Sequence, residues 1–212
     1  LRSGWGGYAP YGPEGELVIS FILPNDDDVG LNIMKRGQRG TGTWQESVIV
    51  GPVGYEDLLW PKMTTGGPDN QYIYLISQTR PLVYYGQPYK GMDGALLYSR
   101  STDGGQNWDI LNHQLPGMDS ADYDGFKADC FAFAESKDNI VAFIAGSYVN
   151  DLFLMKSDDY GATFEKTIIW DHPYDLITPT FDTDTIYAVD GVLDICLDLS
   201  GKAHAVFGII KT

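Results

Sequence analysis

The stretch SRSTDGGQNW at residues 99–108 places a serine, an aspartate, two glycines and a tryptophan within one short segment. The chain repeats this pattern as KSDDYGATF at residues 156–164. A catalytic constellation has no reason to recur along one chain, whereas a structural turn recurs in every unit of a repeat architecture. The two copies therefore indicate a repeat protein, and we expect them to stabilise the fold rather than to perform chemistry.

The two copies share a serine, an aspartate, a glycine and a closing aromatic residue. The matching positions are Ser101, Asp103, Gly105 and Trp108 in the first copy and Ser157, Asp159, Gly161, Thr163 and Phe164 in the second. A degenerate third copy, GQRGTGTW at residues 37–44, keeps only Thr43 and Trp44. Short Ser and Asp side chains bond nearby backbone N–H groups, and glycine adopts positive φ. We expect the aromatic residue to be buried between sheets.

Short runs rich in β-branched and aromatic residues alternate with turn-forming clusters along the chain. The runs ELVISFI, QYIYLIS, NIVAFIA and AHAVFGI each follow such a cluster, and no segment has the pattern of a long amphipathic helix. Each repeat is predicted to contain four antiparallel strands, as a β-propeller blade does. The predicted fold class is all-β, a partial β-propeller with blades at residues 1–50, 55–115, 128–170 and 191–212.

The fourth repeat, VLDICLDLSGKAHAVFGII, is followed by no third strand and no Asp-bearing turn. Residues 1–12 are too short and too rich in glycine to supply two strands and a turn. A bare strand edge is an aggregation risk that folded proteins rarely leave open. We therefore expect the native chain to extend beyond both ends, and the whole propeller to have about six to eight blades.

The acidic composition excludes several partners. Twenty-nine acidic against 14 basic residues give a formal net charge of -15, which repels nucleic-acid phosphates and anionic lipid surfaces. No apolar run reaches the roughly 18 to 20 residues of a membrane-spanning helix. We expect neither a nucleic-acid partner nor a membrane span. Cys130 and Cys196 lie in strand-like runs, where a small buried thiol is commoner than a disulfide.

The pattern Ser-x-Asp-x-Gly-x-Thr followed by an aromatic residue resembles the Asp box, also called the bacterial neuraminidase repeat. Asn107 departs from the usual threonine. By this resemblance the chain is similar to sialidase-like β-propellers, in which the box is a turn between the third and fourth strands, away from the functional face. The resemblance implies a bacterial protein that is secreted or displayed at the cell surface.

In such propellers, function gathers on the loops that join second to third strands and one blade to the next. Here these loops span residues 23–30, 78–93, 116–127, 146–151 and 170–191. Their aspartates include Asp26, Asp27, Asp28, Asp119, Asp122, Asp124, Asp171, Asp175, Asp182, Asp184 and Asp190. The basic residues among them are Arg80, Lys90 and Lys127. This acidic face is the expected place of a glycan or protein partner.

The candidate ligand-binding residues lie in the loop 78–93: Arg80, Tyr84, Tyr85 and Tyr89. Tyrosine rings stack on a sugar or a partner, but in a long loop they also pack it down, and both interpretations stay open. The resemblance to sialidases implies three arginines that grip the substrate carboxylate. The arginines of this chain are Arg2, Arg36, Arg39, Arg80 and Arg100. Only Arg80 accompanies loop tyrosines, there is no Arg-Ile-Pro motif, and no catalytic residue is identified.

Asp122 and Asp124, in DSADYDG at residues 119–125, are the candidate metal ligands because Ca²⁺ prefers carboxylate oxygens. The segment lacks the glutamate that closes an EF-hand loop, and a solvated acidic loop is the alternative. The histidines have no zinc-site spacing: His113, His172 and His204. The sequence requires no cofactor and leaves Ca²⁺ open.

The leading hypothesis is a binding or scaffold module for a carbohydrate or protein partner, packed against the remaining blades of the same propeller and not a self-sufficient enzyme. The alternative is part of a glycoside hydrolase, either sialidase-like or using a pair of carboxylic acids. In that case missing blades would complete the active site.

Overall fold

The structure is a computed structural model that describes residues 3–22, 29–174 and 185–211. Within these ranges the chain is all-β, with antiparallel sheets and two short 3-10 helices at Pro68–Asn70 and Leu82–Tyr84. Among the described residues, no helix has the length and apolar character needed to cross a membrane. The strands assemble within two compact units.

The first unit comprises Leu1–Tyr89 and Asp93–Gln114 and contains two four-stranded antiparallel sheets. In each sheet the strands lie side by side in chain order. The strands of the first sheet are β1 (Ser3–Tyr11), β2 (Gly15–Ile22), β3 (Leu31–Arg36) and β4 (Gln45–Ile49). Those of the second are β5 (Leu58–Gly66), β6 (Tyr72–Thr79), β7 (Leu96–Ser101) and β8 (Ile110–His113).

The second unit comprises Lys90–Met92 and Leu115–Thr212. Its four-stranded antiparallel sheet contains β9 (Phe131–Phe133), β10 (Val141–Ser147), β11 (Asn150–Ser157) and β12 (Glu165–Trp170). A two-stranded sheet follows, formed by β13 (Tyr187–Leu197) and β14 (Ala203–Lys211). The two sheets of this unit share a core of Ala134, Ala142, Ile144, Leu152, Val189 and Ile195.

The second strand of each four-stranded sheet is an apolar run buried on both faces. In β6 the consecutive residues Ile73, Tyr74, Leu75 and Ile76 are at most 1% exposed. Successive strand residues point to opposite sides of a sheet, so such a run needs cover on both sides. β-Branched and aromatic side chains suit this environment because they pack well on a pleated surface. This explains why these runs are the clearest strand signals in the sequence.

The glycine-rich segment at the start of the chain forms a strand that the sequence does not predict. β1 pairs with β2 along its whole length, with a register shift between Gly4 and Gly6. A Cβ atom at Gly4 would lie 2.8 Å from the ring of Phe21. Glycine is therefore required at this position because the aromatic ring of the neighbouring strand fills the space of a side chain.

The three four-stranded sheets lie within the predicted repeats at residues 1–50, 55–115 and 128–170. The two-stranded sheet begins at Tyr187, four residues before the predicted start of the fourth repeat. Within the described residues, β14 pairs only with β13. Its outward side chains include Val206, which is 67% exposed.

The expectation of two buried thiols is wrong for one of them. Cys130 and Cys196 are unpaired; Cys130 is half-buried, but Cys196 is exposed. Burial raises the pKa of the Cys130 thiol to about 11, which favours its uncharged form. Cys196 is exposed because it lies on β13, in a sheet of only two strands that leaves much of its surface uncovered.

Candidate functional site

The segment between β7 and β8 is a turn organised by Ser101 and Asp103. The Ser101 hydroxyl donates to Asp103 Oδ1 at 2.9 Å and accepts the backbone N–H of Gly105 at 2.8 Å. Asp103 Oδ1 also accepts the backbone N–H groups of Gln106 and Asn107, at 3.0 and 2.8 Å. The two short side chains thus satisfy the backbone donors of the turn.

The segment between β11 and β12 repeats this network. Ser157 donates to Asp159 Oδ1 at 2.7 Å and accepts the backbone N–H of Gly161 at 2.8 Å. Asp159 accepts the backbone N–H of Thr163 at 2.9 Å and its hydroxyl at 2.7 Å. In the first turn the Asn107 amide takes the place of that hydroxyl, donating to Asp103 Oδ2 at 2.7 Å. The departure from threonine therefore preserves the bond.

Hydrogen bonds to these carboxylates lower their pKa values. The pKa of Asp103 falls to about 2, chiefly because the backbone N–H and then the side chain of Asn107 donate to it. At Asp159 partial burial acts in the opposite direction, but the bonds from Thr163 and Ser157 outweigh it and the pKa again falls to about 2. Donors that favour the charged form explain both shifts.

Each turn is also tied to the hairpin that opens its sheet. The residue after the aspartate has positive φ, 73° at Gly104 and 58° at Tyr160. Its backbone N–H donates to a hairpin carbonyl, that of Gln71 at 3.1 Å in the first unit and that of Asn139 at 2.9 Å in the second. The turn therefore connects the third strand of a sheet to the loop between the first and second.

The degenerate third copy replaces the aspartate with a glutamate from another strand. Glu16 on β2 accepts the backbone N–H of Gly40 at 2.9 Å and the Arg36 Nε–H at 2.6 Å. The Gly40 bond is the main cause that lowers the pKa of Glu16. The Arg36 guanidinium lies 4.3 Å from the ring centre of Trp44, a cation–π contact.

The expectation that the closing aromatic residues are buried between sheets is wrong. Trp108 and Phe164 are half-buried, and Trp44 is 36% exposed. Phe164 packs its ring against Phe143 at 5.6 Å. The turns lead into the outer strands β4, β8 and β12, which expose much of their surface, so the rings that close the turns are covered only in part.

The predicted ligand-binding loop lies at the other end of the second sheet. The Asp103 turn follows the end of β7, whereas residues 80–95 connect β6 to the start of β7. Because the strands are antiparallel, these two connections leave opposite ends of the sheet. The segment 50–57, which joins β4 to β5, reaches the same end as the loop.

Residues of these two segments line a cleft of about 270 Å³, which we call the Arg80 cleft. Its lining residues are Gly54, Tyr55, Glu56, Asp57, Arg80, Tyr85, Gly86 and Gln87. Gly86 lets the backbone of the loop pass close to the Arg80 carbonyl, because a Cβ at this position would lie 1.7 Å from that oxygen. Gln87 Nε2 donates to the Gly54 carbonyl at 2.8 Å and links the two segments.

Arg80 is the cation of the cleft, and it is already engaged. Its Nη1 donates to Asp57 Oδ2 at 2.9 Å, and its Nε donates to the Tyr84 carbonyl. The Arg80 and Asp57 side chains are 28% and 21% exposed. The guanidinium therefore fixes the loop and balances one carboxylate, while part of it faces the cleft.

The three predicted tyrosines occupy different environments. Tyr85 lines the cleft and is 92% exposed, with positive φ of 65°. Tyr84 packs on the buried Trp60 at 5.1 Å between ring centres. Tyr89 lies edge-on to Tyr55 at 4.9 Å. The structure thus brings Arg80 and Tyr85 to the cleft, whereas Tyr84 and Tyr89 pack the loop against its surroundings.

Sequence reasoning missed half of the cleft. Glu56 and Asp57 belong to the segment GPVGYED at residues 51–57, which joins two sheets and lies outside the predicted functional loops. The signal was present, since a Pro and Gly cluster followed by two adjacent carboxylates marks a polar connection between strands. The partner of Arg80 could be identified only from the fold.

The predicted metal ligands Asp122 and Asp124 are both exposed, in the second unit. Asp122 Oδ2 lies 3.3 Å from Lys166 Nζ, which also donates to the Gly117 carbonyl at 2.8 Å. Among the described residues, no group of three acidic, histidine or cysteine side chains is arranged to hold a metal ion. The proposed Ca²⁺ remains a prediction.

The same unit contains a partly buried polar cluster that the sequence did not indicate. The Tyr123 hydroxyl donates to Asp151 Oδ2 at 3.1 Å, and the His172 backbone N–H donates to Asp151 Oδ1 at 2.8 Å. Burial is the main cause that raises the pKa of Tyr123, followed by the Asp151 charge. Asp151 thus ties together two loops that flank the sheet.

Six of the aspartates predicted on the acidic loop face lie outside the described part of the chain: Asp26, Asp27, Asp28, Asp175, Asp182 and Asp184.

In comparisons with known proteins, the chain matches no protein-family model and no curated protein sequence.

Proposed function

We propose that this chain is an Asp-box β-propeller segment that binds a carbohydrate in the Arg80 cleft. Two observations support the propeller interpretation. The antiparallel sheets follow one another along the chain with neighbouring strands in chain order, and the Ser101–Asp103 network recurs bond for bond at Ser157–Asp159. Consecutive small antiparallel sheets with a repeated turn are typical of propeller blades.

The observation that carries the binding proposal is the composition of the cleft. An almost fully exposed aromatic ring, Tyr85, borders a space lined by Arg80, Glu56, Asp57 and Gln87. A sugar ring has an apolar face of C–H groups and a rim of hydroxyl groups. The apolar face of the tyrosine suits the first and the polar side chains suit the second.

The turns have a separate role in this proposal. Their donors and acceptors bond one another within each turn, and the Asp103 turn leaves its sheet at the opposite end from the cleft. We therefore assign them to stability. The acidic composition suits a secreted or cell-surface protein that stays soluble through charge repulsion, and a bacterial source follows from the resemblance to the Asp box.

No observation at the cleft favours the glycoside hydrolase alternative over binding. Both of its carboxylates have partners, since Asp57 pairs with Arg80 and Glu56 Oε1 accepts the Gly54 N–H at 2.7 Å. Binding without chemistry is accordingly the function proposed for the described residues.

The test is a titration of the protein with a panel of neutral oligosaccharides, followed by calorimetry. We expect at least one to bind, and Tyr85→Ala to weaken that binding at least tenfold while leaving the unfolding temperature unchanged. The matched control is Tyr148→Ala, because Tyr148 is an exposed tyrosine of the second unit, 48% exposed. It should bind as the wild type does.

Two outcomes would contradict the proposal. If no oligosaccharide of the panel binds the wild type, the function is wrong. If Tyr85→Ala binds the oligosaccharide as tightly as the wild type does, the sugar site lies elsewhere and the Arg80 cleft is not it.

A further inference from the structure

The charge state of the Arg80 cleft points to the class of sugar that it accepts. The cleft is lined by one cation, Arg80, and two carboxylates, Glu56 and Asp57. The cation is not available as a free anion-binding group, because Nη1 already donates to Asp57 Oδ2 at 2.9 Å and Nε to the Tyr84 carbonyl. The lining thus has an excess of negative charge.

The negative charge of the Asp57 carboxylate is balanced by the Arg80 guanidinium. Its second oxygen, Oδ1, is buried and has no hydrogen-bond partner among the described residues. A carboxylate in such a position is stabilised by its one ionic partner, and removing that partner leaves a poorly solvated charge. A ligand carboxylate that took the guanidinium from Asp57 would therefore have to leave Asp57 uncompensated, and one that shared it would lie close to a like charge.

The remaining polar atoms suit a ligand that donates hydrogen bonds. Gln87 uses its amide N–H to reach the Gly54 carbonyl, so its carbonyl oxygen is the group left to accept. Glu56 is held through Oε1 by the Gly54 N–H, and its charge favours donors. Hydroxyl groups supply such donors without adding charge.

We propose that the Arg80 cleft selects neutral polyhydroxylated ligands and rejects carboxylated sugars, and that the Arg80–Asp57 ion pair sets this selectivity. The inference rests on the proposed function for the identity of the ligand as a sugar. It also predicts the opposite of what a sialidase-like arginine site would bind.

The experiment compares glucose with glucuronate, which differ by a carboxylate in place of the C6 hydroxymethyl group. Binding is followed by NMR through the backbone amides of Tyr85 and Gln87. We expect the wild type to bind glucose at least tenfold more tightly than glucuronate. Asp57→Asn leaves the guanidinium with a neutral amide oxygen in place of its carboxylate partner, and we expect glucuronate affinity to rise at least tenfold in that variant.

Glu56→Gln is the matched control, because it removes the same unit of charge from the cleft without removing the partner of Arg80. Glucuronate should bind to it nearly as weakly as to the wild type. A rise equal to that of Asp57→Asn would show that net charge, and not the ion pair, sets the selectivity, and would overturn the proposal.

The failure of this inference is distinguishable from that of the proposed function. Wild-type affinity for glucuronate equal to or above that for glucose overturns the selectivity, whatever the oligosaccharide panel shows.

If no neutral sugar binds, the proposed function fails. A titration with acetate then decides by itself whether the cleft rejects carboxylates. Acetate shifts that are absent in the wild type and present in Asp57→Asn support it, and shifts present in the wild type contradict it. If Asp57→Asn does not fold, the wild-type comparison still decides whether the cleft rejects carboxylated ligands, and a tenfold rise of glucuronate affinity in Glu56→Gln still overturns the role of the ion pair.

Discussion

The carboxylate of Asp159 holds Thr163 twice, through its backbone N–H at 2.9 Å and its hydroxyl at 2.7 Å. Asp103 holds Asn107 in the same two ways, at 2.8 and 2.7 Å. Two turns with different residues thus have one geometry. This equivalence indicates that the repeated motif serves the shape of the turn.

Asp159→Ala should destabilise the protein by about 1–3 kcal/mol, because it leaves backbone donors of the turn without their acceptor. Urea unfolding measures the change. The control is Asp158→Ala, at the exposed neighbouring aspartate, which should change stability by less than about 0.5 kcal/mol. Equal effects of the two substitutions would contradict the role assigned to Asp159.

Stability should fall in acid. The pKa values of Asp103 and Asp159 are about 2 in the folded protein, below the value of about 3.9 for an unfolded chain. The unfolded state therefore binds more protons in this window, so the stabilisation is complete above about pH 5 and is lost as the pH falls towards about 2.

The contribution of Asp159 can be isolated with Asp159→Asn, which does not titrate. The difference in unfolding free energy between wild type and variant should shrink as the pH is lowered from about 6 to about 3. A difference that stays constant over this range would mean that the charge of Asp159 does not support the turn.

Tyr123→Phe should destabilise the protein by about 1–2 kcal/mol, because the half-buried Asp151 carboxylate loses its bond from the Tyr123 hydroxyl. Tyr148→Phe, at an exposed tyrosine of the same unit, should have almost no effect. Thermal unfolding of both variants measures the difference, and an unchanged Tyr123→Phe protein would show that the cluster is not a structural tie.

Gly86→Ala should disturb the Arg80 cleft. Its Cβ would lie 1.7 Å from the Arg80 carbonyl oxygen, so the loop must shift, with an expected loss of about 1–3 kcal/mol. Sugar affinity should fall at least tenfold. Gly37→Ala is the control, because nothing lies within 4 Å of a Cβ there. Loss of affinity in both variants would indicate a nonspecific effect.

The strands were predictable where the sequence places apolar residues in runs between turn clusters. β6 and β10 belong to this class, and both are buried in the structure. β1 was not predictable, because its glycines have low strand propensity and are explained by a contact with Phe21 on another strand. The residues around Gly4 in the sequence do not reveal this contact, because Phe21 lies on a different strand.

The candidate site was predictable only in part, for a similar reason. Arg80 and Tyr85 stand out within one loop, but Asp57 becomes their neighbour only when β5 pairs with β6. The exposure of Trp44 was also missed, because its partner Arg36 lies on a neighbouring strand and holds the ring at the surface. Such pairings depend on register, which the sequence alone does not specify here.

The central claim, that the turns stabilise the fold and the Arg80 cleft binds the ligand, is tested most directly by thermal unfolding with and without the tightest-binding neutral oligosaccharide. Ligand bound to the folded state raises the unfolding temperature. Asp159→Ala should unfold at a lower temperature but keep the full ligand-induced rise, whereas Tyr85→Ala should unfold like the wild type and lose the rise. An Asp159→Ala protein that unfolds like the wild type but no longer responds to the ligand would contradict the account.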